Sequence, residues 1–494
     1  MQHDYYKNKM VKMGYWSLMP LDSENWHSTH TSNNFFKAFG FYKGTLVLHE
    51  IDIERQHCYF PQYYFDKLYR YITEVNKKDY KTLSRKFFKF YNLKKKAKIE
   101  IPRISVKNYQ KLNNRELINL YKKNRDWVHL ITIYDQFAWT AEDYWEPHMG
   151  KVLVDKLGIK KDSQEYHRVL FILTKPAEIS TTLEEKRDSI LEAIKIKQKS
   201  KKLKQASQYL VKKYAWMPVF TYGTPWDQTY YEKQLQSLIK KRLDILQQEY
   251  SELKNYQKIQ KEGVRQVLEK YKIQPRDLQL FIDFGLALDT RNEAEYIVSL
   301  AGFYVLPLYR EMARRLHISV TQLRTMLEHE IILALQNKLD VVKLLYEKGR
   351  VVGWGFNHQM NKRFIFKAQE AEKLLNYLEK KSSHLQGHDE DKGKCASPGK
   401  VSGRVKIVIT PDQNDKVGEG DILICHATTV DYLPAMKKAA AFITEVGSLT
   451  CHAAVVAREF GVPCVVSLKN ATKNFKDNDL IEVDADNGVV KKIK

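Results

Sequence analysis

The sequence predicts a multidomain chain, with a mostly α-helical N-terminal region followed by a smaller C-terminal domain of short strands and helices. Three observations point there. Apolar residues recur at three- and four-residue spacings through much of residues 61–378. The polar stretch KKSSHLQGHDEDKGK at 380–394 then breaks the pattern, with Leu385 as its one large apolar residue. Beyond it, short apolar runs alternate with small-residue turns. A chain of 494 residues, 43% hydrophobic and 29% charged, can form two or three cored domains.

Residues 1–60 read as a small α+β or irregular cap, rich in aromatics (Trp16, Trp26, Phe35, Phe36, Phe39), with one strand-like run, GTLVLHEIDI, at 44–53. His27, His30 and His49 have no metal-like spacing. Residues 61–380 read as a helical substrate or partner domain. Helices are expected at 64–75, 79–91 and 114–143, the last on Leu117, Leu120, Trp127, Leu130, Ile133 and Phe137. Thr182 and Glu185 have capping-box spacing ahead of a helix at 183–196. The run KIKQKSKKLK at 195–204 is the sharpest cationic stretch, expected at a helix end or exposed turn, and no base-stacking aromatics are interleaved with it. The segment 214–234 is dense in aromatics and broken by Pro218, Gly223 and Pro225; Trp216, Tyr222 and Trp226 there suit either a substrate pocket or a packed corner. Leucines from 235 to 253 suggest one long helix of an antiparallel hairpin. Residues 297–308 form the longest apolar run, too short to span a bilayer and expected as a buried helix. Arg291 and Arg310 are candidates to meet an anionic substrate, since guanidinium binds phosphate bidentately; Arg314 and Arg315 suit a solvated helix face. Residues 381–394 are expected as a linker and 395–494 as the last domain.

Composition narrows the function classes. Net charge is +23, and from residue 391 onward 15 Lys and Arg face 13 Asp and Glu, so the first 390 residues hold 67 against 46, a net of +21. A Lys-rich solvated surface explains this more simply than nucleic-acid binding. The N-terminus has no apolar signal region, which points to the cytoplasm, and nothing points to a membrane. Five cysteines, Cys58, Cys395, Cys425, Cys451 and Cys464, include no C-x-x-C pair. A disulfide framework is therefore not expected, nor is a metal at the two Cys-His pairs.

The chemistry is expected at 444–466, TEVGSLTCHAAVVAREFGVPCVV. Residues 441–444 end a buried strand, Gly447 and Ser448 turn, and Thr450 is a natural N-cap for a helix over 452–460. Gly461 and Pro463 end that helix before a second buried strand. His452 thus falls in a first turn, where unpaired N–H groups and the helix dipole stabilise an attached anion. A solitary histidine is more often a structural hydrogen-bonder.

Residues 395–408 (CASPGKVSGRVKIV), 417–444, the TCHAAVVAREFGVP stretch and the closing DNDLIEVDADNGVV appear in order. Together they resemble the mobile, swivelling phosphohistidine domain of the phosphoenolpyruvate-utilising enzymes, the family of phosphoenolpyruvate synthase, pyruvate phosphate dikinase and rifampin phosphotransferase. The resemblance implies a C-terminal β/β/α swivelling domain whose His452 is transiently phosphorylated. It gives Thr450 and Arg458 supporting roles, has Gly447, Ser448, Cys451 and Ala453 shape the phosphate loop, and has Ser397, Pro398, Gly399 and Gly403 shape the domain's first turn. Two positions depart from the family pattern, Ser448 and Ser467 standing where glycine is usual. Residues 289–335 resemble, in layout alone, the helical region before this domain in related enzymes. Neither a GxxxxGK[ST] loop nor anything resembling an ATP-grasp domain is found, and no phosphoenolpyruvate barrel follows.

The implied function is a phosphotransferase component that carries a phosphoryl group on His452 to a small-molecule acceptor. The donor, ATP or phosphoenolpyruvate, would sit with Mg2+ on a separate ATP-grasp or phosphoenolpyruvate-binding partner, with no cofactor bound intrinsically. Two alternatives stand: a single-chain small-molecule kinase in the manner of rifampin phosphotransferase, and a regulatory or RNA-associated protein that kept the fold.

Overall fold

The computed structural model describes residues 10–16, 21, 35–39, 45–50, 55–161, 163–176, 178–219, 224–347, 351–357, 362–383, 392–449 and 451–493. The chain divides into two compact units, one of residues 1–141 and 300–389, the other of 142–299 and 390–494. The division at 389/390 falls inside the linker expected at 381–394, while none falls at 60, and each unit is assembled from segments distant in sequence. The division at 299/300 falls inside one helix, Pro275–Arg315.

In the first unit, five antiparallel strands form a sheet in the order β1-β3-β2-β4-β5. These are β1 (Met10–Trp16), β2 (Thr45–Glu50), β3 (Arg55–Pro61), β4 (Val351–Asn357) and β5 (Lys362–Lys367). The strand expected at 44–53 is β2, and its partner β4 lies some three hundred residues on, so the described strands before residue 61 share their sheet with a distant part of the chain. Ala371, Leu374, Leu375 and Leu378 of the helix Ala368–Ser383 cover Leu46, Leu48, Tyr59 and Phe366. Their three- and four-residue spacing puts them on one helix face. The helix Asn114–Thr140 opens with a complete capping box between Asn113 and Glu116. Its Leu117, Ile118 and Tyr121 pack on Val305, Leu308 and Met312. Arg314 is exposed, as expected, and Arg315 only partly so; both guanidinium groups bond Glu311, and Arg315 also reaches the Leu112 carbonyl at 2.5 Å.

The second unit joins helices of residues 142–299 to the C-terminal domain. The capping box expected at Thr182 and Glu185 is replaced by Ser180, whose side chain accepts from Leu183 N ahead of the helix Thr181–Lys197. The leucine seam at 235–253 lies on two helices, Gln228–Lys240 and Leu243–Lys254, broken where Lys241 and Arg242 turn extended. The cationic run at 195–204 falls at a helix end and turn, as its sequence suggests, yet Lys195 and Lys201 both pair with the buried Glu192. No described helix is long and apolar enough to cross a membrane.

The C-terminal domain holds seven strands in the order β12-β11-β7-β8-β9-β10-β6. They are β6 (Lys394–Ser397), β7 (Lys400–Ile407), β8 (Ile422–Cys425), β9 (Ala441–Thr444), β10 (Cys464–Val466), β11 (Leu480–Asp484) and β12 (Val489–Lys492). Strands β7 to β10 pair in parallel and the flanking ones antiparallel. The parallel centre β8 and β9, ILIC and AFIT, is buried at every residue, as strands covered on both faces must be. The helix His452–Phe460 packs beside β6, β9 and β10. The first and last segments of the domain meet where Gly393 N donates to Gly488 O at 2.9 Å and Ala485 N to Gly399 O at 3.0 Å.

Candidate active site

The carboxyl ends of parallel strands are where open α/β sheets present their loops to ligands, and β8 and β9 end side by side. Beyond them Glu445 N bonds Cys425 O (3.2 Å) and Val446 N bonds His426 O (3.1 Å), so the ladder continues into the loop. Gly447 then turns at φ +131°, and a Cβ there would stand 2.9 Å from Cys451 Sγ, which fixes glycine at this position. Its carbonyl accepts from Ser467 Oγ at 2.5 Å. Ser467 itself sits at φ +59°, a conformation that suits the glycine usual in the resembling family. The Glu445 carboxylate binds His426 Nδ1 (3.0 Å), Thr472 N (2.9 Å) and Thr472 Oγ1 (2.6 Å). Burial raises its pKa, but the hydrogen bonds from Thr472 and His426 outweigh that and hold it below the usual value.

The helix begins as expected at His452 and ends at Gly461 in the left-handed region, φ +67°. Its N-cap is Cys451, with extended backbone and no side-chain cap bond, rather than Thr450. Thr450 lies outside the described residues, as does Tyr222. Cys451 N bonds Ser448 O at 3.2 Å, and Ala453 is buried one residue behind the histidine. Arg458 donates to the Leu449 carbonyl, so it braces the loop from the far end of the helix.

His452 is 4% exposed. Its Nδ1 is 3.1 Å from Thr428 Oγ1, on the loop after β8, while Nε2 is buried with no hydrogen-bonding partner among the described residues. Burial first, and the cation of Arg291 second, push its pKa down from 6.5 to about 3. The imidazole is therefore neutral. The tautomer that donates from Nδ1 to Thr428 Oγ1 is the one that leaves Nε2 its lone pair.

Arg291 belongs to the helical part of the same unit, and several other contacts join that part to the C-terminal domain. Glu459 takes hydrogen bonds from Ser180 and Thr182. Nearby, Thr181 donates to Glu293 through N (2.6 Å) and Oγ1 (2.8 Å), placing a carboxylate at the start of the helix Thr181–Lys197. Burial, helped by Glu293 and Asp289, raises the Glu459 pKa to about 8. Lys437 of the C-terminal domain reaches Glu185, Trp226 and Tyr230.

Of the residues expected to bind substrate, Arg291 and Trp226 thus lie where the helices meet the C-terminal domain. Trp216 is half-buried, its ring edge-on to Tyr296 and its Nε1 bonded to Lys213 O at 2.8 Å. Arg310 belongs to the other unit and is exposed. Thr428, Lys437 and Glu459 are not singled out by the sequence, and Glu185 stands out there only as half of a capping box; Thr428 has one signal, a polar residue just past a buried strand end.

Residues 417–488 match the family model "PEP-utilising enzyme, mobile domain". A probable phosphoenolpyruvate synthase of Archaeoglobus fulgidus is 48% identical over 118 residues, 23% of this chain and 16% of that protein. The phosphoenolpyruvate synthase of Pyrococcus furiosus is 50% identical over 101 residues, 20% of this chain and 12% of that protein. That of Escherichia coli K12 is 31% identical over 145 residues, 29% of this chain and 18% of that protein. The chain therefore spans less than a fifth of each of these relatives.

Proposed function

We propose, starting from a C-terminal region that is a mobile domain of the phosphoenolpyruvate-utilising enzymes, that this chain is a phosphotransferase component carrying a phosphoryl group on His452. One observation supports the choice of atom: a neutral imidazole at a helix N-terminus, with Nδ1 turned to Thr428 and Nε2 unengaged. In the first step Nε2 attacks the donor phosphorus, the phosphorus–oxygen bond to the leaving group breaks, and that oxygen keeps the electron pair. In the second an acceptor oxygen attacks the same phosphorus, and the nitrogen–phosphorus bond breaks. The first-turn N–H groups of His452–Phe460 stabilise the charge carried in between. Thr428 holds the ring so that Nε2 is presented.

The donor is ATP or phosphoenolpyruvate on a separate subunit, and the helices of residues 142–299 are the surface to which the phosphoryl group is delivered. The names of the relatives support the donor class. Mg2+ would sit with the donor on the separate subunit; among the described residues of this chain no group of three or more His, Cys, Asp and Glu side chains is arranged to hold a metal.

Intact-protein mass after incubation with ATP or phosphoenolpyruvate, with lysate of the source organism and under alkaline conditions, tests this. One added phosphate is expected, dependent on lysate and lost in His452→Ala. Its absence under every condition would end the carrier reading. Thr428→Val is expected to slow phosphate incorporation about tenfold, the effect of losing roughly 1.4 kcal/mol of ring positioning. Its thermal midpoint should stay near that of the wild type.

A further inference from the structure

Lys437 follows the short helix Leu433–Met436, and its ammonium enters a socket on the helical part of its unit. Nζ stands 2.7 Å from Glu185 Oε2 and 3.3 Å from Tyr230 Oη, and it lies 4.9 Å from the Trp226 ring centroid and 5.7 Å from that of Tyr230. The two rings are stacked, centroids 4.5 Å apart at 14°, and Tyr231 backs them edge-on. Glu185 is 0% exposed, and its other oxygen is held by Ser189 Oγ (3.1 Å) and Gln234 Nε2 (3.2 Å).

Carboxylate, rings and the polar groups that orient them all come from two neighbouring helices, Thr181–Lys197 and Gln228–Lys240, and the segment before the second. Only the cation comes from the C-terminal domain. A socket of this kind selects a primary ammonium or guanidinium on a flexible stem, because the rings favour a cation over their faces and the buried carboxylate needs a counter-charge. The neighbouring residue makes the reciprocal contact: Lys186 Nζ lies 5.1 Å from the ring of Phe460, at the end of the histidine helix.

We propose that this socket is the docking contact that fixes where the His452 domain rests on the helices. Glu185, Trp226, Tyr230 and Lys437 are then the positioning residues that hold the unphosphorylated histidine beside Arg291. The proposal rests on the reading of the C-terminal domain as a moving carrier. It accounts for a buried carboxylate and a pair of stacked aromatics that transfer through His452 does not use. It also places one requirement on the cycle, since Nε2 is closed off while Lys437 is seated, so His452 accepts its phosphoryl group with the socket empty.

The test is the rate at which diethyl pyrocarbonate modifies His452 in the full-length chain, read by peptide mass. Wild type should react slowly. Lys437→Met should raise the rate at least about tenfold, which corresponds to a tenfold shift in docking. Glu185→Gln should do the same from the other side, and Lys437→Arg should stay within about twofold of wild type, because arginine keeps charge and ring contact. Circular dichroism establishes that each variant is folded, and if one is not, the other decides. A folded Lys437→Met or Glu185→Gln protein with His452 still protected would overturn the proposal, as would rapid modification of wild type. The reagent needs no phosphoryl donor. A histidine that never takes phosphate but becomes reactive in Lys437→Met would end the carrier reading and leave the docking contact standing.

Discussion

Wild type is expected to lose thermal stability between pH 6.5 and 8, and replacing Glu459 by glutamine is expected to abolish that loss. The Glu459 carboxyl, with its pKa raised to about 8 from 4.5, holds its proton when packed against the helices and gives it up when released. Released chains thus bind fewer protons, and stability falls as pH climbs from about 4.5, levelling above about 8, by about 1.4 kcal/mol for each unit of pH. Asp289 and Glu293 face the same carboxyl from the helix Pro275–Arg315 and Lys175 from the end of a neighbouring helix, with the rings of Tyr256 and Tyr296 closing the site. His452 works in the opposite sense. Its pKa is depressed from 6.5 to about 3, so a released imidazole takes up a proton below 6.5 that the buried one refuses, and stability falls toward acid until about pH 3. Between about 4.5 and 6.5 the two slopes oppose each other, leaving a plateau. Above 6.5 Glu459 acts alone, and the loss up to pH 8 should be roughly 2 kcal/mol. Thermal midpoints of wild type and Glu459→Gln at these pH values measure it. Parallel curves would show that the carboxyl is ionised where it sits.

Gly488→Ala is expected to destabilise the C-terminal domain by roughly 3 kcal/mol, read as a fall in the urea midpoint of the full chain. Gly488 lies at φ +65°, and a Cβ there would sit 2.1 Å from the carbonyl oxygen of Gly393 and 3.0 Å from its carbon. The two backbones would have to part, and the hydrogen bond from Gly393 N to Gly488 O would go with them. Gly461→Ala supplies the comparison. Its φ is nearly the same, +67°, but no atom lies within 4 Å of the added carbon. It should cost only about 1 kcal/mol, the strain of a left-handed alanine. Equal losses in the two variants would refute the steric argument.

How far the sequence could be read depended on how local the cause was. The histidine helix, Gly461 and the strands on either side were legible because strand, turn, first turn and stop follow one another within some twenty-five residues. The N-cap slipped by one residue, from Thr450 to Cys451, because the extended backbone, and not a side-chain bond, decides that position. Thr182 and Glu185 had the spacing of a capping box, but Ser180 took the cap and the Glu185 carboxylate turned instead to Lys437, a partner 252 residues away. No local pattern encodes such a pairing. The leucine seam at 235–253 kept its spacing across the break at Lys241 and Arg242, so periodicity alone gave one helix where there are two. The first sheet was hidden for a similar reason, since β2 reads as a strand while its neighbour β4 comes from the far end of the helical stretch. Thr428 and His452 share a site because parallel strands end together, which topology and not spacing brings about.

The bond between Gly393 and Gly488 also closes the C-terminal domain on itself. Residues entering the domain and residues nearing its last strand are held at one place, 2.9 Å apart from donor to acceptor. Gly393 leads into β6 and Gly488 into β12, the strands at the two ends of the sheet order, so this one bond ties both edges of the sheet together. Edges fastened to each other offer fewer unpaired backbone groups to a foreign strand. A substitution that opens the clasp would therefore expose two edges at once.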